Sequence, residues 1–123
     1  PTYADIHPLI ADVLALDLED ITPSSTFFGD LGGESIDWID FTFVIKKNCD
    51  LHLDQLNKSI HQDSAGRLTP ESVRFLRSFL PDFDPTSITN SNLKQRLDEL
   101  LDIQSIVRLI HVLHSQRQSV QTG

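Results

Sequence analysis

Apolar residues recur every three or four positions in several separate stretches of the chain, and this spacing restricts the possible folds more than any other feature does. Between Ile6 and Leu14 it predicts a helix over about residues 5–16, with Asp5 as its N-cap. The stretch 35–48 contains neither glycine nor proline and predicts a second helix. Alternating apolar and polar residues, which are typical of half-buried strands, form no stretch of useful length. The sequence therefore predicts an all-α protein, a small helical bundle.

Threonine and proline mark a third helix further along the chain. Thr69 is expected to cap it, and Pro70 to occupy its first position, where the missing N–H of proline does no harm. Pro81 cannot continue the hydrogen-bond ladder, so the helix is expected to span about residues 70–80. Three phenylalanines lie in or just after this stretch: Phe75, Phe79 and Phe83. Their apolar area indicates that the segment packs against the rest of the protein.

Two more helices are expected before the end of the chain. Asn90 or Ser91 is the expected cap of a helix over about residues 92–101. Asp102 is the expected cap of the last helix. The apolar face of that helix comprises Ile103, Ile106, Val107, Ile110 and Leu113. The final segment, 115–123, is polar and is expected to be frayed.

Composition excludes several functional classes. A length of 123 residues fits a single domain over residues 1–123, and a net charge of −8 disfavours nucleic acid binding, which needs clustered cations. No apolar run is long enough to span a membrane, and residues 1–10 lack the basic and apolar parts of a secretory signal. The lone Cys49 cannot form an internal disulfide, which favours a reducing, cytoplasmic location.

Neither a metal site nor a catalytic site is indicated. Residues 61–72 share a glycine and an apolar residue with calcium loops, but Ala65 and Ser72 stand where calcium needs an oxygen donor and a bidentate carboxylate. A serine nucleophile on a sharp turn needs glycine two positions later, whereas Asp37 follows Ser35 at that distance. We therefore expect no metal ion and no catalytic residue, and the protein is not expected to be an enzyme.

The most informative stretch is the segment 30–37, with the sequence DLGGESID. Gly32 and Gly33 allow a close approach of the backbone and of a bulky group, and Ser35 follows in the expected first turn of the second helix. Unpaired backbone amides and the positive end of the helix dipole would stabilise a phosphate attached to that hydroxyl. An ordinary helix cap is the alternative interpretation of the same residues.

A helical wheel separates the apolar residues of the second helix into two stripes. The stripe expected to face the core contains Trp38, Phe41, Ile45 and Cys49. The second stripe contains Ile36, Ile39 and Phe43. Asp37 and Asp40 flank the second stripe. An amphipathic helix needs only one apolar stripe, so the second predicts a docking surface beside Ser35, unless a neighbouring helix covers it.

These residues resemble the acyl carrier proteins and related phosphopantetheine carriers. The similarity includes the loop sequence DITPSSTF at 20–27, the DLGGESID segment and the last helix from Asp102 to Leu113. The resemblance implies an acyl-carrier-like four-helix bundle, here with about two extra helices in an insertion over about residues 54–101. It also implies that Ser35 carries 4′-phosphopantetheine, attached covalently from coenzyme A.

The resemblance further implies a function and a set of partners. The chain would act as a monomer that tethers acyl intermediates as thioesters for fatty-acid or specialised lipid biosynthesis. Its partners would be a phosphopantetheinyl transferase, and acyl synthases and transferases with basic docking patches. The implied docking residues are Ile36, Asp37, Ile39, Asp40 and Phe43. Phe27 and Phe28 are implied at the mouth of the acyl cavity.

The sequence departs from the family pattern in three places. Glu34 precedes the serine where the family usually has aspartate. Lys46 and Lys47 lie at a helix end that is usually acidic, and the insertion is long. The charge departures favour different partner enzymes. The insertion either enlarges the acyl cavity, adds a docking face or is a tolerated surface insertion. A peptidyl or aminoacyl carrier of secondary metabolism and an unmodified carrier-fold interaction module remain alternatives.

Overall fold

The computed structural model describes residues 2–87 and 92–122, and within them the chain forms five α-helices. These are α1 (Tyr3–Leu14), α2 (Ser35–Cys49), α3 (Pro70–Phe79), α4 (Leu93–Leu100) and α5 (Ile103–Thr122). Short 3₁₀ turns lie at Leu18–Asp20, Leu53–Ser59 and Pro85–Ser87. The described residues contain two isolated β-bridges and no β-strand, so the all-α prediction is confirmed.

One hydrophobic core joins four of the helices. α1 packs against α2 and α5, and α3 packs against α5. Fully buried side chains from these helices include Ile6, Ile10, Phe41, Ile45, Leu76, Phe79, Ile106 and Ile110. Burial of a side chain of this size contributes about 1.5–3 kcal/mol. Although α3 lies in the predicted insertion, it is therefore part of the bundle core.

The ends of α1 differ from the prediction by two residues. Thr2 precedes the helix, and its N–H donates to Oδ2 of Asp5 (2.8 Å). The predicted N-cap Asp5 therefore lies inside the first turn, where it closes a capping box. The helix ends at Leu14 because Ala15 adopts a left-handed conformation with a φ of 56°. Alanine rarely does so, and the sequence gives no sign of this stop.

The loop between α1 and α2 is attached to the start of α5. The Phe27 N–H donates to the Leu101 carbonyl (3.1 Å), and the Ile103 N–H donates to the Ser25 carbonyl (2.9 Å). The Gln104 N–H donates to another carbonyl of the same loop (2.9 Å). Because these bonds satisfy backbone groups that no helix pairs, they fix the path of the chain into α2.

The start of α3 is as predicted, with Pro70 in the first turn and Oγ1 of Thr69 accepting a bond from the Ser72 N–H (3.3 Å). Ser72 is itself fully buried. Its hydroxyl accepts from the His61 N–H (2.7 Å) and donates to the Ser59 carbonyl (3.4 Å). These bonds tie α3 to the turn that follows α2.

Asn92 precedes α4, whereas the predicted caps Asn90 and Ser91 lie outside the described residues. Asp102 is confirmed as the cap of α5, since its Oδ1 accepts a bond from the Ser105 N–H (2.8 Å).

α5 is longer than its apolar face. Residues 115–122, expected to be frayed, are helical. Neither glycine nor proline occurs between Asp102 and Gly123, so nothing in the backbone stops the helix where its apolar stripe ends. None of the described helices is long and apolar enough to cross a membrane.

Candidate functional site

Ser35 is the first residue of α2 and is exposed. Glu34 precedes it in an extended conformation, and the Glu34 N–H donates to Oδ2 of Asp37 (2.8 Å). The Asp37 carboxylate therefore closes the first turn and lies at the positive end of the helix dipole. These contacts hold Ser35 in a defined turn that solvent can reach.

The two glycines before the helix have different roles. Gly32 has a φ of +69°, which favours glycine, and nothing lies within 4 Å of the position that a Cβ would take. Gly33 contacts Phe27, since a Cβ at Gly33 would be 2.6 Å from the Phe27 ring. The Gly33 N–H donates to the Phe27 carbonyl (2.9 Å). Gly33 thus fixes the turn, and Gly32 leaves open space next to it.

Four aromatic rings support the first turns of α2: Phe27, Phe28, Trp38 and Phe41. The Phe27 and Trp38 rings meet edge to face, with centroids 5.3 Å apart. The Phe28 ring lies 4.9 Å from Phe27 and 5.9 Å from Trp38. Pairs of this kind contribute about 0.5–1.5 kcal/mol beyond their burial. The cluster therefore anchors the loop and the helix on either side of Ser35.

A cavity of about 450 Å³, which we call the Ser35 cavity, has Ser35 in its wall. Its other lining residues are Phe28, Trp38, Ile39, Leu56, Ile60, Leu93, Leu97, Asp98 and Leu101. All of these except Asp98 are apolar. Of the two phenylalanines predicted at a cavity mouth, Phe28 lines this cavity, and Phe27 lies fully buried in the core.

The sequence did not indicate that α4 would line this cavity. Leu93, Leu97 and Asp98 belong to α4, far from Ser35 along the chain. The spacing of the leucines predicted an inward face for this helix, but not which part of the protein that face meets. Only the path of the folded chain brings α4 to Ser35.

The second apolar stripe of α2 faces solvent. Ile36, Ile39 and Phe43 are 64%, 53% and 65% exposed, whereas Phe41 and Ile45 of the first stripe are fully buried. Within the described residues, no neighbouring helix covers the second stripe. Large apolar side chains grouped at the surface are typical of interaction sites.

A second cavity, of about 350 Å³, lies along this face, between α2 and the turn at 53–59. We call it the α2 groove. Its lining residues are Trp38, Ile39, Thr42, Phe43, Lys46, Leu53 and Leu56. Three charged residues of α2 are exposed in or near this groove: Asp40, Lys46 and Lys47.

Cys49 lies on the inner face of α2 and is half-buried. Burial raises the pKa of its thiol above the ordinary value, which favours the protonated form and disfavours reactivity. No group of three or more His, Cys, Asp or Glu side chains in the described parts of the chain could hold a metal ion.

Residues 4–59, which include Ser35, match the PP-binding family model, a phosphopantetheine attachment site. The chain is similar to acyl carrier protein AcpXL of Mesorhizobium japonicum, with 39% identity over 46 residues, or 37% of this chain and 50% of the relative. It is also similar to acyl carrier protein AcpXL of Rhizobium etli, with 28% identity over 83 residues, or 68% of this chain and 89% of the relative. The chain is therefore similar to acyl carrier proteins, and the family model matches just under half of it.

The match to the Mesorhizobium acyl carrier protein thus spans half the length of that relative, and the match to the Rhizobium protein spans most of it. No solved structure matches the chain significantly.

The match to the phosphopantetheine attachment model implies covalent 4′-phosphopantetheine, and the site around Ser35 fits that group. Ser35 offers an exposed hydroxyl in the first turn of α2, where the helix dipole favours a phosphate. The space around Gly32 is open, and the Ser35 cavity is lined mainly by apolar residues.

Proposed function

We propose that Ser35 is the residue to which 4′-phosphopantetheine is attached, and that this protein holds acyl groups for partner enzymes. The observation that carries the proposal is the exposed serine at the start of α2, in the wall of an apolar cavity. When bound, the phosphopantetheine supplies a terminal thiol that forms thioesters. The chain itself then needs no catalytic group, so we propose a carrier and not an enzyme.

The residues around Ser35 have two tasks in this proposal. The first turn of α2 and the open space at Gly32 present the hydroxyl to a phosphopantetheinyl transferase. The apolar lining of the Ser35 cavity excludes water from an acyl chain, because burial of hydrocarbon is favourable. Leu93 and Leu97 belong to this lining, which supports a cavity enlarged by the insertion.

The outer face of α2 supports the predicted docking surface. Ile36, Ile39 and Phe43 offer apolar area, and the carboxylate of Asp40 raises the rate of encounter with basic partners. Asp37 adds negative charge while it caps the helix. We propose transient docking of acyl synthases and transferases on this face of a cytoplasmic monomer, in fatty-acid or specialised lipid biosynthesis.

Intact-mass spectrometry after incubation of the full chain with coenzyme A and a broad-specificity phosphopantetheinyl transferase tests the proposal. We expect one phosphopantetheinyl group on the wild type, none on Ser35→Ala, and one on the control Ser64→Ala, which changes another exposed serine. Circular dichroism verifies that the variants fold.

A wild-type mass that does not change, or a gain that persists in Ser35→Ala, contradicts the proposal. The first result favours an unmodified interaction module. If the group is attached to Ser35, loading of the modified protein with acyl or aminoacyl groups separates an acyl carrier from a peptidyl carrier.

A further inference from the structure

The outer face of α2 carries charges of opposite sign at its two ends. Asp37 and Asp40 lie in its N-terminal half, whereas Lys46 and Lys47 lie in its last turn and are exposed. At 1.5 Å per residue, Asp40 and Lys47 are roughly 10 Å apart along the helix axis. The exposed side chain of Phe43 lies between these ends. The surface is therefore polarised and not uniformly acidic.

Lys46 also lines the α2 groove, together with Ile39, Phe43 and Leu56. The groove thus combines apolar walls with a cationic group. An apolar side chain that enters it releases water from these walls, and a neighbouring carboxylate meets the Lys46 ammonium. A cationic side chain at the same place meets a like charge, which disfavours its binding.

We propose that α2 docks partner enzymes whose own surface is polarised in the complementary sense. Basic residues of the partner lie opposite Asp37 and Asp40, and an apolar side chain with an adjacent carboxylate enters the α2 groove beside Lys46. This inference rests on the proposed function, since it concerns the enzymes that act on a carrier. The docking patch of such a partner is basic at one end and acidic at the other, and not uniformly basic.

Two synthetic helical peptides with the same apolar face serve as probes. The mixed peptide carries lysine at one end and glutamate at the other, and the basic peptide carries lysine at both ends. Trp38, the only tryptophan of the chain, lines the groove and reports binding of tryptophan-free peptides through its fluorescence. Because the net charge of −8 attracts the basic peptide at long range, tighter binding of the mixed peptide cannot result from net charge.

We expect the full-length wild type to bind the mixed peptide about three- to tenfold more tightly than the basic one, the range for one or two partly exposed charge pairs. The variant Lys46→Glu with Lys47→Glu is expected to reverse this preference. The matched control, Arg67→Glu with Arg74→Glu, makes the same change in net charge at exposed positions on and before α3, and is expected to retain it. Circular dichroism verifies that both variants fold.

Equal or weaker binding of the mixed peptide by the wild type overturns the inference, as does an unchanged preference in the Lys46 and Lys47 variant or a reversal in the control. The peptides bind without the phosphopantetheine arm, and attachment to Ser35 is measured without the peptides. The two proposals can therefore fail separately.

Discussion

Two phenylalanines of α2, only two positions apart, have opposite environments. Phe41 is fully buried, whereas Phe43 is 65% exposed. Removal of the Phe41 ring leaves a cavity in the core, so we expect Phe41→Ala to lower the free energy of unfolding by about 3–5 kcal/mol. Phe43→Ala is expected to change it by less than about 0.5 kcal/mol. Denaturant unfolding measures both, and each variant is the control for the other because the same atoms are removed.

Equal losses in these two variants would mean that the outer stripe of α2 is covered in the folded protein, which would contradict its proposed role as a docking surface. Retained stability in Phe43→Ala, by contrast, allows its effect on partner binding to be measured without interference from folding.

The sequence separates these phenylalanines because α2 contains no glycine or proline that interrupts its period, so a wheel places Phe41 and Phe43 on the correct sides. The burial of Ser72, by contrast, could not be predicted in this way. Its position after Thr69 and Pro70 suggested only the first turn of a helix. Its burial depends on hydrogen bonds to His61 and Ser59, which lie in a separate segment whose position no local pattern gives.

Among the elements, α4 connects the insertion with the proposed site, because Leu97 lies in the wall of the Ser35 cavity. The Leu97→Trp substitution is expected to reduce the space for an acyl chain. In the wild type, each methylene held in the cavity adds about 0.8 kcal/mol to the stability of the acylated protein, until the space is filled. In Leu97→Trp the gain is expected to stop at a shorter chain. Thermal unfolding of proteins loaded with acyl chains of increasing length measures this limit.

Gln95→Trp adds the same ring at an exposed position of α4, outside the lining, and is the matched control. The same chain-length limit in the wild type and in both variants would show that the acyl chain lies elsewhere. Because stability is measured in proteins that already carry the arm, such a result would leave the assignment of Ser35 intact.

The ends of the elements were predictable where a side chain marks them. Thr69 and Asp102 cap α3 and α5 as expected, since each offers an oxygen to a free N–H in the first turn. The end of α1 was not predictable, because Ala15 stops the helix through its backbone conformation alone. The end of α5 was not predictable either. The helix continues to Thr122, beyond its apolar stripe, because no glycine or proline interrupts it.

At the scale of the whole molecule, the segment that matches the family model does not contain the whole core. Residues 4–59 match the family model and contribute Phe27 and Phe41 to the core. The buried side chains beyond this segment include Leu76, Phe79, Leu101, Ile103, Ile106, Leu109 and Ile110. α5 packs against α1, and the loop before α2 is bonded to the start of α5. The conformation of Ser35 thus depends on residues outside the recognisable motif.

This division of the core predicts that the fragment 1–59 does not fold alone, although it contains Ser35 and all of α2. Without α5, the inner face of α1 loses the apolar surface that packs against it, and Phe41 and Ile45 lose part of the core cluster to which they belong. A chain of about 60 residues is only marginally stable even with a complete core. We expect no cooperative thermal transition by circular dichroism and the emission spectrum of a solvated Trp38, in contrast to the full chain under the same conditions. The fragment is also expected to be a poorer substrate of the transferase, because the first turn of α2 is no longer held in place. Cooperative unfolding of the fragment, with a buried Trp38, would show that the later helices are dispensable for the site and that the insertion serves docking or the cavity alone.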